Sequence, residues 1–374
     1  FISEGDNVSG TGYGKESMIS YALRANYGYK SKYLFTGTVR WDGSSKFAKE
    51  NRWGCFPSMA VAWRITEENF MKKLDWVSNL KLRLSYGVTG NNEGVGNFAT
   101  IQTIGNNVSY PFGGVYVPGF QPGPVVDRNI KWETSQEWNF GLDFGFLRNR
   151  INGSIDVYKK NSKDLLYNVS LPLEVGGVTM YTNIGKVQNT GVEIALNTVN
   201  IQNKDWNWTT SFMFAHNNNQ VKQINGVSDR FLNGDNVTGN LFVGYFINNI
   251  YTYEFGGIVS DRDMIVPDHQ IATDKGLTPG TTMKECDYYY TCYGLTEGQP
   301  YVRDLNGDGK INEDDKTMYR KDPIWTGSFT SNLSYKNWDL SLSLYAKINY
   351  KVSSSFMGGD YYDFHDRGRG KMYM

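Results

Sequence analysis

Charge of one sign, cysteine, histidine and long apolar runs are all scarce in this chain. Lysine plus arginine and aspartate plus glutamate both number 38, so the formal net charge is zero. A nucleic-acid binder needs a basic stripe or patch, and that class is excluded. No 18 consecutive apolar residues occur, and the richest stretch, 241–259, is broken by Asn248, Asn249 and Glu254. With a mean hydropathy of −0.49, a helical membrane bundle is excluded as well. Of the three cysteines, Cys286 and Cys292 form a close pair and Cys55 stands alone. That spacing leaves a disulfide and two reduced thiols equally open. His216, His269 and His365 lie far apart, without His-x-x-x-His, Cys-x-x-Cys or a Gly-x-Ser-x-Gly elbow. They read as solvated loop histidines, and no enzyme is expected. The segment 9–16, Ser-Gly-Thr-Gly-Tyr-Gly-Lys-Glu, lacks the first glycine and the Ser/Thr of a phosphate loop, so a strand-to-loop turn accounts for it. Phe1 is neither an initiator Met nor the opening of a signal peptide, so a fragment or processed product is expected.

What the chain has is aromatics, 15% of residues, and 41 glycines. Its dominant period is two. Leu80, Leu82, Leu84, Tyr86 and Val88 alternate with Lys81, Arg83, Ser85, Gly87 and Thr89. Trp138, Phe140, Leu142, Phe144 and Phe146 alternate with Asn139, Gly141, Asp143 and Gly145. Predicted strands cover 18–29, 33–42, 56–66, 79–89, 135–147, 150–160, 164–171, 190–199, 205–216, 239–253, 326–336 and 338–349, with 164–171 the weakest.

Alternation alone does not distinguish a soluble sandwich from a membrane barrel. Two features favour the barrel. Aromatics such as Tyr27, Tyr29, Tyr33, Trp41, Trp206, Trp208, Tyr335 and Trp338 sit at strand ends, as interfacial girdles do. Connections also alternate between short (30–32, 147–150, 200–204, 336–337) and long (43–55, 90–134, 161–189, 217–238, 254–325), as in an outer-membrane barrel. Two defects remain: 67–78 is a longer link, read as a helical turn, and strand parity fails across 254–325. Residues 299–303 are the candidate for the missing strand there, and the side of the barrel that residues 304–315 face stays open.

Several runs resemble the SusC/RagA family of TonB-dependent transporters. They are 33–47 (Tyr-Leu-Phe-Thr-Gly-Thr-Val-Arg-Trp-Asp-Gly-Ser-Ser-Lys-Phe), 51–58, 62–65, and 80–91 (Leu-Lys-Leu-Arg-Leu-Ser-Tyr-Gly-Val-Thr-Gly-Asn). Others are 131–134, 141–144, 149–151, 163–166, 183–189, 191–193 and 304–309, in the family's order. The resemblance implies an all-β fold in which residues 1–374 are part of an antiparallel, 22-stranded transmembrane barrel. It further implies the bacterial outer membrane, import of oligosaccharide or oligopeptide energised by the TonB complex, and a SusD/RagB-like lipoprotein as lid. Plug, first strands and closing strands are expected outside this chain, because an open sheet edge in lipid is untenable. The rivals are a passive porin and a secreted calcium-binding β-sandwich adhesin.

The sharpest local motif lies in 304–315. Asp304, Asn306, Asp308, Lys310 through its carbonyl, Asn312 and Asp315, with Gly309 between, match the oxygen spacing of an EF-hand-like calcium loop. The alternative is an Asx-rich turn in which the carboxylates accept from backbone amides. A bound Ca²⁺ there is expected to stiffen the loop. For substrate, Asn106, Asn107, Tyr110, Phe112, Tyr116 and Phe120 cluster in one long loop, where aromatic faces and amides suit sugars or peptides. Packing of the loop, or contact with the lid, is the blander alternative. Arg24, Arg40, Arg64 and Arg83 fall on polar strand faces, where they hold a plug or steer anions.

Overall fold

The computed structural model describes residues 15–351 except 98, 103, 123–124, 171–178, 225–229 and 232–239. Ten strands form one antiparallel sheet in chain order. They are β1 (Met18–Tyr29), β2 (Tyr33–Ser44), β3 (Trp53–Arg64), β4 (Val77–Asn91) and β5 (Glu133–Phe146). After these come β6 (Ile151–Lys163), β7 (Lys186–Gln202), β8 (Trp206–Gln223), β9 (Trp325–Tyr335) and β10 (Trp338–Ile348). Each is at least 11 residues long, enough for the ~9–11 that a tilted strand needs to cross a bilayer.

The register carries the period-two pattern across the whole sheet. Leu23 opposes Val39, Val61 opposes Leu84, and Leu84 opposes Phe140. Phe140 opposes Val157, Ile155 opposes Ile194, and Phe214 opposes Ile194 from the other side. Phe212 opposes Phe329, which opposes Leu344. One face is therefore apolar from edge to edge, and a one-residue slip in any strand would invert it. Much of this face is uncovered: Leu23 is 69% and Leu344 57% exposed, whereas Val39, Ile155, Ile194 and Phe214 are half-buried by their neighbours on the face.

Aromatic pairs border this face at both ends. Tyr33–Trp63 (6.5 Å), Trp76–Phe146 (5.5 Å) and Trp206–Tyr335 (4.2 Å) sit at the short-turn end. Tyr21–Trp53 (6.1 Å), Tyr86–Trp138 (4.7 Å) and His216–Trp325 (4.0 Å) sit at the other. An apolar band between two aromatic girdles is the lipid-facing surface of a membrane barrel.

Connections 30–32, 65–76, 147–150, 203–205 and 336–337 lie at one end, and 45–52, 92–132, 164–185 and 224–324 at the other; short alternates with long except that 65–76 is longer than 45–52. In the 30–32 turn, Lys30 and Ser31 are both left-handed (φ 50° and 56°), and the Lys32 amide donates to the Tyr29 carbonyl at 2.9 Å. That geometry matches the strand twist. The link read as a helical turn at 67–78 spans 65–76 and is a 3-10 turn, Ile65–Glu67, followed by chained hydrogen-bonded turns in place of a helix over 67–78. Glu68 ties this end together, accepting from Lys32 Nζ (2.7 Å), Tyr33 Oη (2.8 Å) and Trp63 Nε1 (3.2 Å). The bond from Lys32 holds its carboxyl below the ordinary range.

Three strand assignments change. Residues 239–253 are not a barrel strand, because left-handed Gly244 (φ 91°) separates Leu241–Phe242 from Asn249–Tyr253, and neither joins the sheet. Asn249–Tyr253 pairs with Lys316–Arg320 instead. Residues 299–303 are not the missing strand either, since Pro300–Val302 pairs with Phe255–Ile258. The 164–171 segment is a strand, Leu166–Ser170, but it pairs with Thr179–Asn183 away from the sheet. With 239–253 removed, parity is restored and no strand is missing. Residues 224–324 are one excursion that leaves β8 and re-enters β9 at the long-connection end.

The contacts divide the chain into two units. In the first, Phe47, Phe56, Val95, Ile130 and Trp132 form a core at the long-connection end. A Cβ on Gly54 or Gly90 would meet the Phe56 ring at 2.3 or 2.0 Å, so glycines make its seat. The second unit, chiefly Asn248–Pro323, packs Val266, Ala272, Tyr288 and Cys292 round a helix, Glu285–Tyr293.

Candidate functional site

The polar face of the sheet is the first candidate. Arg24, Arg40, Arg64 and Arg83 all lie on it, as the alternation predicts. Arg83 is the most engaged, donating from Nε and Nη2 to Asp143 (2.8–3.0 Å) and from Nη2 to Asp156 at 3.1 Å. Lys81 adds a longer pairing with Asp143 at 3.8 Å. Gly141 gives this network room, because a Cβ there would lie 2.7 Å from the Arg83 guanidinium. Arg40 donates to Asp42 at 2.7 Å, Arg24 to Thr38 at 3.2 Å, and Arg64 pairs with Glu67 at 3.1 Å. Paired charges, hydroxyls and small residues make a hydrated wall. The geometry suits a wide aqueous lumen.

The loop residues expected to bind substrate occupy a hairpin, Ile104–Phe112 and Val115–Pro122, turned by left-handed Gly113 and Gly114. Tyr110 opposes Val117 and Phe112 opposes Val115, so these four share one face, while Tyr116 opposes Pro111 on the other. Tyr110, Phe112 and Tyr116 are all largely exposed. The side chains of Asn106, Asn107 and Phe120 lie outside the described residues. Alternation on a hairpin therefore splits what reads along the sequence as one aromatic cluster.

The acidic loop is the third candidate. Asp304 Oδ1 accepts from the Gly307 amide (2.6 Å), and Oδ2 from the Gly309 amide (2.7 Å) and the Tyr293 hydroxyl (2.9 Å). Asp315 accepts from Leu305 N–H at 2.9 Å and Asn312 N–H at 2.8 Å. Asn306, Asp308 and Asn312 each accept from the amide two residues on. Asp304 and Asp315 are buried, and neither is ion-paired to Lys or Arg among the described residues. Asp308 and Asn306 are exposed, as is Lys310, and among the described residues no three His, Cys, Asp or Glu side chains group as a metal cage. The oxygens have the hard-donor chemistry of a calcium loop, while in this arrangement they serve the loop's own amides, as the Asx-turn reading has it.

Gly307 and Gly309 (φ 74° and 83°) let the loop pass under its neighbours. A Cβ on them would meet His269 at 2.8 Å and Ile271 at 2.6 Å. Tyr293 remains a phenol that can donate to Asp304, since burial and that bond both push its ionisation up. Burial pushes Tyr288 up to about 12. Glu285, 2% exposed, holds the helix start by accepting from Ser260 N–H (3.1 Å) and Oγ (2.6 Å) and from Arg262 (2.5 Å). Burial alone would raise its ionisation; these donors overcome that and set it below the usual range.

Cys286 and Cys292 are free and belong to one helix. Six residues of helix rise separate their Cα atoms by about 9 Å, beyond the ~7 Å limit for a disulfide. The histidines depart from the solvated-loop reading. His216 lies on β8, half-buried against Trp325, and its Nδ1 is buried without a partner. His269 is half-buried against Gly307, and His365 lies outside the described residues. A lone histidine in an alternating strand signals membrane-face placement only through its parity, which matches Phe212 and Phe214.

The profile of the family described as TonB dependent receptor-like, beta-barrel, matches residues 3–349. The chain belongs to that family. Its strands are thus outer-membrane barrel strands, with the apolar face towards lipid. It is 36% identical over 366 residues to the TonB-dependent receptor SusC of Bacteroides thetaiotaomicron, covering 94% of this chain and 32% of that protein. The TonB-dependent receptor P39 of Formosa agariphila is 32% identical, covering 98% of this chain and 35% of that one. Among solved structures, the RagAB peptide transporter superposes with a TM-score of 0.71 at 26% identity, covering 89% of this chain and 34% of that one. The chain spans about a third of the length of these relatives.

Proposed function

We propose that the full-length protein imports oligosaccharides or oligopeptides across the outer membrane, energised through TonB, beneath a SusD/RagB-like surface lipoprotein. The observation that carries this reading is a polar sheet face with paired Arg83, Asp143 and Asp156, backed by a face whose central band is apolar, in a chain homologous to SusC over 94% of its length. No catalysis is assigned. The wall guides and hydrates a cargo, and the outer loops select it. The RagAB relative is named a peptide transporter, which supports the peptide arm. The test is uptake of labelled oligosaccharides and oligopeptides by cells that express the full-length protein, with and without functional TonB. Uptake of one class that disappears without TonB agrees with the proposal; uptake indifferent to TonB identifies a passive porin.

We also propose that Ca²⁺ binds residues 304–315 through Asp304, Asn306, Asp308, the Lys310 carbonyl, Asn312 and Asp315. The buried carboxylates of Asp304 and Asp315, without a paired cationic side chain among the described residues, support it, because buried charge favours a compensating ion. The metal would supply stiffness to the loop.

A further inference from the structure

The lipid-facing side of β5–β8 changes character at the long-connection end, in register from strand to strand. One row carries Phe140, Val157, Val192 and His216, and the next carries Trp138, Lys159, Thr190 and Asn218. Beyond these lie four carboxamides, Gln136, Asn161, Gln188 and Gln220, with Gln188 Nε2 donating to Asn161 Oδ1 at 2.8 Å. The last row holds Thr134, Lys163 and Lys186, with Lys222 beside the register shift between Lys186 and Val187. The inner two rows line a shallow groove of about 480 Å³ walled by Trp138, Phe140, Val157, Lys159, Val192 and His216.

This sector has a charge excess that the outward positions of β1–β3 lack. No carboxylate occupies an outward position in these four rows. Among the described residues, none of Lys159, Lys163, Lys186 and Lys222 is paired with one either. On β1–β3 the corresponding outward positions are Ile19, Tyr21, Trp41 and Trp53. Lysine stems can snorkel at any membrane border. Four uncompensated ammonium groups on three adjacent strands repel one another, however, unless an anion sits among them.

The arrangement is amphipathic along the membrane normal: an apolar groove, then a tryptophan, then amides, then cations. It fits a molecule with an acyl chain, hydroxyls and phosphate in that order. Long connections mark the extracellular side, so the ligand comes from the outer leaflet. We infer that this sector of β5–β8 binds a phosphorylated glycolipid of the outer leaflet. Its acyl chain lies along the Phe140–Val157–Val192 groove, its sugar hydroxyls meet the carboxamide row, and its phosphate meets Lys163, Lys186 and Lys222. The inference does not depend on what the lumen carries.

The test places full-length protein in nanodiscs of zwitterionic lipid doped with lipid A, dephosphorylated lipid A or a plain anionic phospholipid. Lipids retained by the protein are quantified by mass spectrometry. Wild type is expected to enrich lipid A over the bulk and over its dephosphorylated form. K186Q/K222Q is expected to lose about 25-fold in apparent affinity, since each lysine near a membrane surface contributes roughly fivefold. K72Q/K73Q, in the 65–76 connection at the opposite end, is expected to retain it. Bulk composition around wild type, or equal retention of dephosphorylated lipid, overturns the proposal. Equal enrichment of the plain anionic phospholipid overturns the glycolipid assignment. If K186Q/K222Q does not assemble, the wild-type comparison of the two lipid A forms decides the matter alone.

Discussion

All ten tryptophans lie in the unit built on the ten-stranded sheet, whereas residues 248–323 contain none and carry eight tyrosines with fourteen acidic against eight basic residues. The sheet leaves its large apolar side chains uncovered on one face; the second unit buries Val266 and Tyr288 to 2% exposure. The two regions are built for different solvents. In lipid, apolar exposure costs nothing and tryptophan is favoured at the borders. In water, a small unit needs an enclosed core and ties its polar groups into specific hydrogen bonds, as Glu285 and Asp304 do.

The largest expected effect comes from breaking the lipid face. Phe140→Arg, at mid-strand and 49% exposed, should cost about 3 kcal/mol of barrel stability. Asn139→Arg, one residue away on the polar face, should be tolerated. Heat-modifiable electrophoretic mobility of the full-length protein measures both, and equal loss would erase the distinction between faces.

The second unit is broken by Gly309→Val, which forces a side chain into the left-handed region and onto Ile271. About 2 kcal/mol of local stability should go. Limited proteolysis should then cut within 248–323 while the barrel stays intact. Glu285→Gln should have a smaller effect, about 1 kcal/mol, through weakened bonds to Arg262 and Ser260. Its pH dependence has a definite sign. The folded ionisation of Glu285 is lowered from 4.5, so its stabilisation is complete above that value and fades as pH falls through the lower folded one. Wild type should therefore lose protease resistance in this unit below about pH 4.5, and the Gln variant should lose less. Smallest of all, Ca²⁺ chelation should raise cleavage at 304–315 only, whereas a reductant should change nothing there.

The sheet was legible because its signal is repeated: ten strands alternate with the same parity, and their connections alternate in length. The excursion was not. Residues 239–253 have the hydropathy of a strand, and only Gly244 and the competing edge of Lys316–Arg320 reveal that they split. The four arginines of the polar face follow from parity alone. Which carboxylates meet Arg83 required the register that sets Asp143 beside it and Asp156 one strand further. The calcium spacing is visible in the sequence, yet hydrogen bonds to the loop's own amides are a property of backbone path. Tyr293 and Glu285 carry no motif and emerge only from packing.

The central claim is that one face of this sheet meets lipid and the other meets water. Single cysteines introduced at positions 138 to 144 of β5, in full-length protein lacking Cys55, Cys286 and Cys292 and embedded in the outer membrane, test it directly. Labels at 138, 140, 142 and 144 should be quenched by a lipid-soluble quencher, and labels at 139, 141 and 143 by a water-soluble one. Equal aqueous quenching along the whole run would contradict the account.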